Sequence, residues 1–127
     1  MKTLFYYLGV SALFTHELDA VLNQEWKLLF HFFELSQDVG DVLFVALHFP
    51  LFFLFFYLGH HKKSMIQTRF RVGVCIFLVV HSVLHLALSG HSHYFFSGLL
   101  SNLYIFSAAV FGLIFLMLNW KQQKTVP

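Results

Sequence analysis

Charged residues and cysteine are scarce in this chain, and each shortage excludes one class of protein from consideration. Only 11% of the 127 residues are charged and the formal net charge is +2, too small to indicate a nucleic-acid partner. The single cysteine, Cys75, excludes an intrachain disulfide. The soluble zinc-protease string His-Glu-x-x-His is absent too, because His16 and Glu17 are followed by Ala20 where the second histidine would stand.

Apolar side chains are abundant instead. Hydrophobic residues make up 58% of the chain and aromatic residues 20%, with eighteen phenylalanines among them. This is more apolar surface than the core of one small soluble domain can bury. The composition therefore indicates an integral membrane protein whose main partner is membrane lipid.

Four segments are long and apolar enough to cross a bilayer as helices, which takes about 20 residues. They cover residues 4–22, 41–59, 72–89 and 95–120. The joins after the second and third segments are short, so successive helices are expected to be antiparallel neighbours. The sequence thus predicts an all-α fold: a four-transmembrane-helix antiparallel bundle that forms a single transmembrane domain over residues 1–127.

The segment 24–35, between the first two predicted spans, has a helical apolar pattern. Its apolar residues recur at i, i+3, i+4 and i+7. They are Trp26, Leu29, Phe30 and Phe33. The pattern fits an amphipathic helix lying in the membrane interface. It fits equally a first span that continues beyond the headgroups.

Basic residues fall very unevenly on the two sides of this bundle. Lys27 stands alone on one side, and the other side carries Lys2, Lys62, Lys63, Arg69, Arg71, Lys121 and Lys124. Loops rich in lysine and arginine stay in the cytoplasm. We therefore expect a multi-pass protein of the inner (plasma) membrane, with both termini and the loop 60–71 cytoplasmic.

Histidines stand inside the predicted spans, where ionisable residues are costly and normally functional. At a rise of about 1.5 Å per residue, His16 lies roughly 20 Å and His48 roughly 17 Å from the cytoplasmic ends of their spans. His81 and His85 lie roughly 14 and 20 Å along the third span, one turn apart on one face. The spans thus bring four histidines from three helices to one layer of the bilayer.

Carboxylates at the same level complete a predicted metal site. Imidazole and carboxylate together suit zinc, iron or manganese, whereas Cu(I) prefers sulfur. We expect a divalent transition metal, most readily zinc or iron, with these ligands: His16, Asp19, His48, His81 and His85. Glu17 and Asp19 are the predicted catalytic residues, as a base acting on metal-bound water. Glu17, Asp19 and Glu25 are also candidates for orienting a ligating histidine.

Several of these residues carry a resemblance to known families. The string His-Glu-Leu-Asp-Ala at 16–20, followed by Glu25-Trp26, resembles the opening motif of a family of small uncharacterised bacterial four-helix integral membrane proteins. The resemblance continues through Phe-x-x-x-His-x-Pro at 44–50 and His-x-x-Leu-His at 81–85. It implies a four-helix membrane fold and no particular activity. The chain is also loosely similar to HXXEE-type membrane proteins, although no His-x-x-Glu-Glu string occurs here.

Four functions are compatible with this pattern. The first is a metal-dependent membrane enzyme acting on a lipidic or periplasmic substrate. The second is a b-type haem or electron-transfer protein, with axial ligands such as His48 and His85. The third is proton or metal-ion translocation, for which four short helices would need a homo-oligomer. The fourth is an accessory subunit of a larger membrane complex, in which the polar residues only lock helix packing.

Overall fold

Four long α-helices and one short helix form the chain in the computed structural model, which describes residues 1–29 and 33–125. The helices are α1 (Lys2–Leu22), α2 (Trp26–Leu29), α3 (Gln37–Gly59), α4 (Ser64–Leu88) and α5 (Leu99–Thr125). No strand occurs among the described residues, so the prediction of an all-α fold is confirmed. Part of the segment 24–35, including His31, lies outside the described residues.

The helix bounds differ from the apolar segments that predicted them. α3 begins at Gln37 and α4 at Ser64, ahead of the predicted starts at residues 41 and 72. Hydropathy marks only the part of a helix that suits lipid, whereas backbone hydrogen bonding continues through its polar ends. α5 begins at Leu99, later than expected; the backbone N–H of Asn102 donates to the carbonyl of Gly98 at 3.1 Å and closes the first turn, and the side-chain amide of Asn102 donates to the same carbonyl.

Three of the described helices are long and apolar enough to cross a membrane. They are α3, α4 and the part of α5 from Leu99 to Lys124. α1 has 21 residues, but Glu17 and Asp19 in its second half lower its hydropathy. The chain therefore has the helices of a membrane protein, and α1 differs from the others in carrying acidic residues.

α5 lies between α1 and α4 and makes the principal contacts with both, whereas α3 packs more loosely on its neighbours. Two glycines permit this close packing. A Cβ atom on Gly112 would lie 2.9 Å from the carbonyl oxygen of Cys75, and one on Gly9 would lie 2.8 Å from Cδ1 of Leu78. The core at this level consists of these buried side chains: Tyr6, Ala12, Leu13, Phe55, Val74, Cys75, Leu78, Ala108 and Phe115.

Arg71 closes the end of the bundle at which most basic residues lie. Its Nε donates a hydrogen bond of 2.9 Å to the carbonyl of Gly59, the last residue of α3. The guanidinium also lies over the rings of Tyr6 and Tyr7 on α1, at 4.8 and 5.5 Å from the ring centroids. One buried cation thus links α1, α3 and α4 at this end.

A sharp reversal at the opposite end follows α1. The backbone N–H of Glu25 donates to the carbonyl of Ala20 at 3.0 Å, and Gln24 takes a left-handed conformation with φ of 53°. Trp26 then packs its indole directly on Gly40 of α3, where a Cβ atom would lie 2.5 Å from the ring. The reversal therefore turns Glu25 back toward the interior of the bundle, where it is only 7% exposed.

Candidate metal centre

Four side chains with metal-binding atoms converge beside this reversal. They are His16 from α1, Glu25 from the turn after it, and His81 and His85 from α4. Each offers one ligand atom, and these four atoms all lie within 4.8 Å of one another. His16, Glu25 and His85 are buried, and His81 is half-buried. We call this set the His–Glu cluster.

The distances within the His–Glu cluster suit a single ion. The Nε2 atoms of His81 and His85 are 2.7 Å apart, since a spacing of four residues stacks the two rings on one face of α4. Oxygens of Glu25 lie 3.5 Å from Nε2 of His16 and 3.5 Å from Nε2 of His85. Ligands at about 2.0–2.1 Å from a tetrahedral zinc ion are roughly 3.3 Å apart. The observed distances between ligand atoms in the cluster therefore lie on either side of the distance expected for such a site.

Two atoms that face each other in the cluster lack hydrogen bonds. Nε2 of His16 and Oε2 of Glu25 are buried and have no hydrogen-bond partner among the described residues. Their separation of 3.5 Å is longer than the usual 2.7–3.2 Å of an N–H···O bond. Buried polar atoms without partners are rare because each costs about 1–3 kcal/mol. A cation between them would satisfy both atoms at once.

The charge on Glu25 suits this role. Burial by itself would raise the pKa of Glu25, but the neighbouring imidazoles of His16 and His85 outweigh it and lower the pKa from 4.5 to about 2. Glu25 is therefore a carboxylate anion at neutral pH. The anionic form is the one that binds a metal ion.

Aromatic rings close one side of the cluster. The ring of Phe96, which is fully buried, lies 5.5 Å from that of His16 and 5.0 Å from that of His85, measured between centroids. Tyr94 lies against His85 at 5.8 Å. These rings separate the ligand atoms from solvent on that side, which strengthens electrostatic interactions inside.

Glu17 and His48 form a second polar pair beside the His–Glu cluster. Nε2 of His48 on α3 lies 2.9 Å from Oε2 of Glu17 on α1, and Nδ1 of His48 lies 2.6 Å from the carbonyl oxygen of Phe44. Both ring nitrogens of His48 thus have partners within the protein. The structure places His48 against Glu17 and outside the His–Glu cluster.

A cavity of about 310 Å³ brings the two polar groups together. Its lining includes Glu25, His81 and His85 from the cluster and both members of the Glu17–His48 pair. Its other walls are apolar side chains of α2, α3 and α4. The volume is near the lower limit of about 300–1,000 Å³ for small-molecule sites. A molecule in this cavity would meet both polar groups.

The remaining predicted site residue, Asp19, lies apart from the cluster. It is half-buried, its backbone carbonyl accepts a hydrogen bond from the side chain of Asn23, and its Oδ2 atom has no partner among the described residues. Asp19 does not line the cavity. The structure thus brings together His16, His81 and His85 from the predicted ligands and leaves Asp19 and His48 outside the cluster.

Glu25 is the cluster member that the predicted ligand set lacked. Hydropathy leaves it just outside the first span, and the sequence indicated only a supporting role for it. The available signal was the polar string Asn23-Gln24-Glu25, which permits a reversal. That the reversal returns Glu25 to the level of His16 depends on docking of Trp26 onto α3.

Comparison with known proteins supports the expectation that the chain belongs to an uncharacterised family. The profile of a family of unknown function (DUF6713) matches residues 2–122, so the chain belongs to this family. No curated protein and no solved structure matches the chain significantly.

Proposed function

We propose that this member of the DUF6713 family is a metal-dependent membrane enzyme whose ion is held by His16, Glu25, His81 and His85. One observation carries the proposal: four ligand atoms from three parts of the chain lie within 4.8 Å of one another in a buried place. Three imidazoles and one carboxylate suit zinc or iron. The proposed set contains Glu25 where the sequence suggested Asp19 and His48.

The cavity supports a catalytic role for the ion rather than a purely structural one. Because four protein ligands fill a tetrahedral zinc site, a catalytic ion here would need a fifth coordination position for water or substrate. Glu25, His81 and His85 border the cavity, so an open position would face it. A water molecule bound there would be a nucleophile at neutral pH.

Glu17 is the proposed proton acceptor for this water. Its carboxylate borders the same cavity and is only 8% exposed, with His48 at 2.9 Å to hold it in place. A general base must lie near the proton that it removes, directly or through one water. Asp19, the other carboxylate suggested by the sequence, lacks this access to the cavity.

We further propose that α1 is a fourth membrane span, that the protein lies in the plasma membrane, and that both of its termini are cytoplasmic. Glu17 is buried against His48, and intramembrane acids are tolerated when they face the interior and a partner. α1 also packs closely along α5, which is itself apolar enough to cross the bilayer. The asymmetry of basic residues supports the orientation.

Elemental analysis of detergent-purified protein tests the metal site. We expect about one zinc or iron ion per chain in the wild-type protein and in His93→Ala, because His93 is exposed and outside the cluster. His81→Ala should lose the ion. Both variants should elute from gel filtration like the wild type, which excludes unfolding as the cause.

The same measurement can reject the proposal. A wild-type protein without bound transition metal after growth in zinc- and iron-supplemented medium would mean that the His–Glu cluster only locks helix packing. Equal metal content in wild type and His81→Ala would place any bound ion elsewhere.

A further inference from the structure

The cavity beside the His–Glu cluster opens between α3 and α4, the two neighbouring helices that pack loosely. Its rim consists of side chains that recur at helical spacing on both helices. The exposed rim residues are Leu47, Leu51, Phe77, Leu84 and Leu88. Because α3 and α4 are both apolar enough to span a membrane, this opening faces hydrocarbon rather than water.

The far side of the cavity is polar. Glu17 and Glu25 are 8% and 7% exposed, so their carboxylates are withdrawn from the surface of the helices. His48, His81 and His85 lie beside them. The cavity therefore has an apolar rim that faces lipid and polar side chains only at its inner end, which suits a largely apolar molecule that enters from the bilayer.

We infer that the cavity admits one fatty-acyl chain of a bilayer lipid through the gap between α3 and α4. A water-soluble substrate would have to cross the rim of leucine and phenylalanine side chains, which offers no polar partner. An acyl chain passes from the hydrocarbon of the bilayer onto an equally apolar rim, so it enters without losing contacts with water and needs no polar partner. The inference rests on the proposed function for its purpose, because it makes a lipid the substrate class of the His–Glu cluster.

Photolabelling can detect an acyl chain in the cavity. The purified protein is reconstituted in vesicles of phosphatidylcholine that carries a diazirine within one acyl chain, irradiated, and digested for mass spectrometry. Alkyl diazirines react readily with carboxylates, and Glu17 and Glu25 are hidden from lipid that merely surrounds the helices. We expect label on Glu17 or Glu25 in the wild-type protein.

Matched variants link this label to the cavity. Leu84→Trp fills the rim and should abolish labelling of both carboxylates. Leu113→Trp places the same bulk on α5, at a residue 47% exposed and outside the cavity lining, and should leave the label unchanged. Both substitutions are on exposed positions, so neither should disturb the fold, which gel filtration checks.

The outcomes separate this inference from the proposed function. Label confined to outward-facing side chains, or label on the carboxylates that survives Leu84→Trp, would overturn the inference. Metal content is measured on the same samples and should be unchanged in Leu84→Trp. Labelled carboxylates without bound metal would support the acyl-chain site and reject the metal enzyme. Bound metal without labelled carboxylates would support the metal site and reject the acyl-chain site.

Discussion

Trp26 donates a hydrogen bond from its indole Nε1 to Oδ1 of Asp41 at 2.7 Å, and this bond ties the turn that carries Glu25 to the start of α3. Trp26 is 4% exposed and its indole rests on Gly40, so the packing contact and the hydrogen bond both hold Trp26 against the first turns of α3. Gln37 donates to the other oxygen of Asp41 at 2.8 Å, which orients the carboxylate. The position of Glu25 therefore depends on residues outside the His–Glu cluster.

Trp26→Phe should weaken this link while keeping an aromatic ring on Gly40. Hydrogen bonds to charged groups contribute about 1.5–3 kcal/mol, so we expect the free energy of unfolding in detergent to fall by a similar amount. Chemical unfolding followed by circular dichroism measures this change. Trp120→Phe is the control, since Trp120 is 61% exposed and should change stability by about 0.5 kcal/mol or less. Equal effects of the two substitutions would contradict the proposed role of the Asp41 bond.

Gly40→Ala should displace the indole of Trp26. The new Cβ atom would lie 2.5 Å from the ring, and overpacking of this kind costs about 1–3 kcal/mol. Gly73→Ala is the matched control on α4, because no atom apart from its chain neighbours and the adjacent backbone of its own helix lies within 4 Å of its Cβ position. Alanine is the better helix former, so Gly73→Ala should be neutral or stabilising by up to about 1 kcal/mol. Thermal unfolding distinguishes the pair, and a stable Gly40→Ala protein would show that Trp26 docks differently.

Two carboxamide substitutions distinguish the alternative ligand sets. Glu25→Gln removes the anionic ligand of the His–Glu cluster, and we expect zinc affinity to fall more than about tenfold. Asp19→Asn should leave zinc affinity unchanged, because Asp19 is outside the cluster. Competition with a fluorescent zinc chelator gives both affinities. The opposite ranking would restore the ligand set suggested by the sequence.

Membrane sidedness can be read with single cysteines, because the native Cys75 is fully buried and should not react. We expect Ser36→Cys and Ser92→Cys to react with a membrane-impermeant maleimide in intact cells. Thr3→Cys and Lys62→Cys should react only after permeabilisation. Reaction of Thr3→Cys and Ser36→Cys from the same side would show that α1 does not cross the membrane, and labelling of Lys62→Cys in intact cells would reverse the orientation.

The sequence by itself determined the apolar helices and part of the candidate site. Long apolar segments predict helices because lipid requires every backbone hydrogen bond to be satisfied within the segment. The spacing of His81 and His85 places them on one face in any α-helix, and helical rise brings His16 to their level. None of this requires knowledge of how the helices pack.

Only the tertiary structure decided which carboxylate joins the histidines. Depth along a helix can be counted from the sequence, but rotation of one helix against another depends on side-chain packing. That rotation pairs His48 with Glu17 across α3 and α1 instead of with His81 and His85. Glu25 enters the cluster because the chain reverses at Gln24 and Trp26 fits the space above Gly40, and such a fit exists only once α3 is in place.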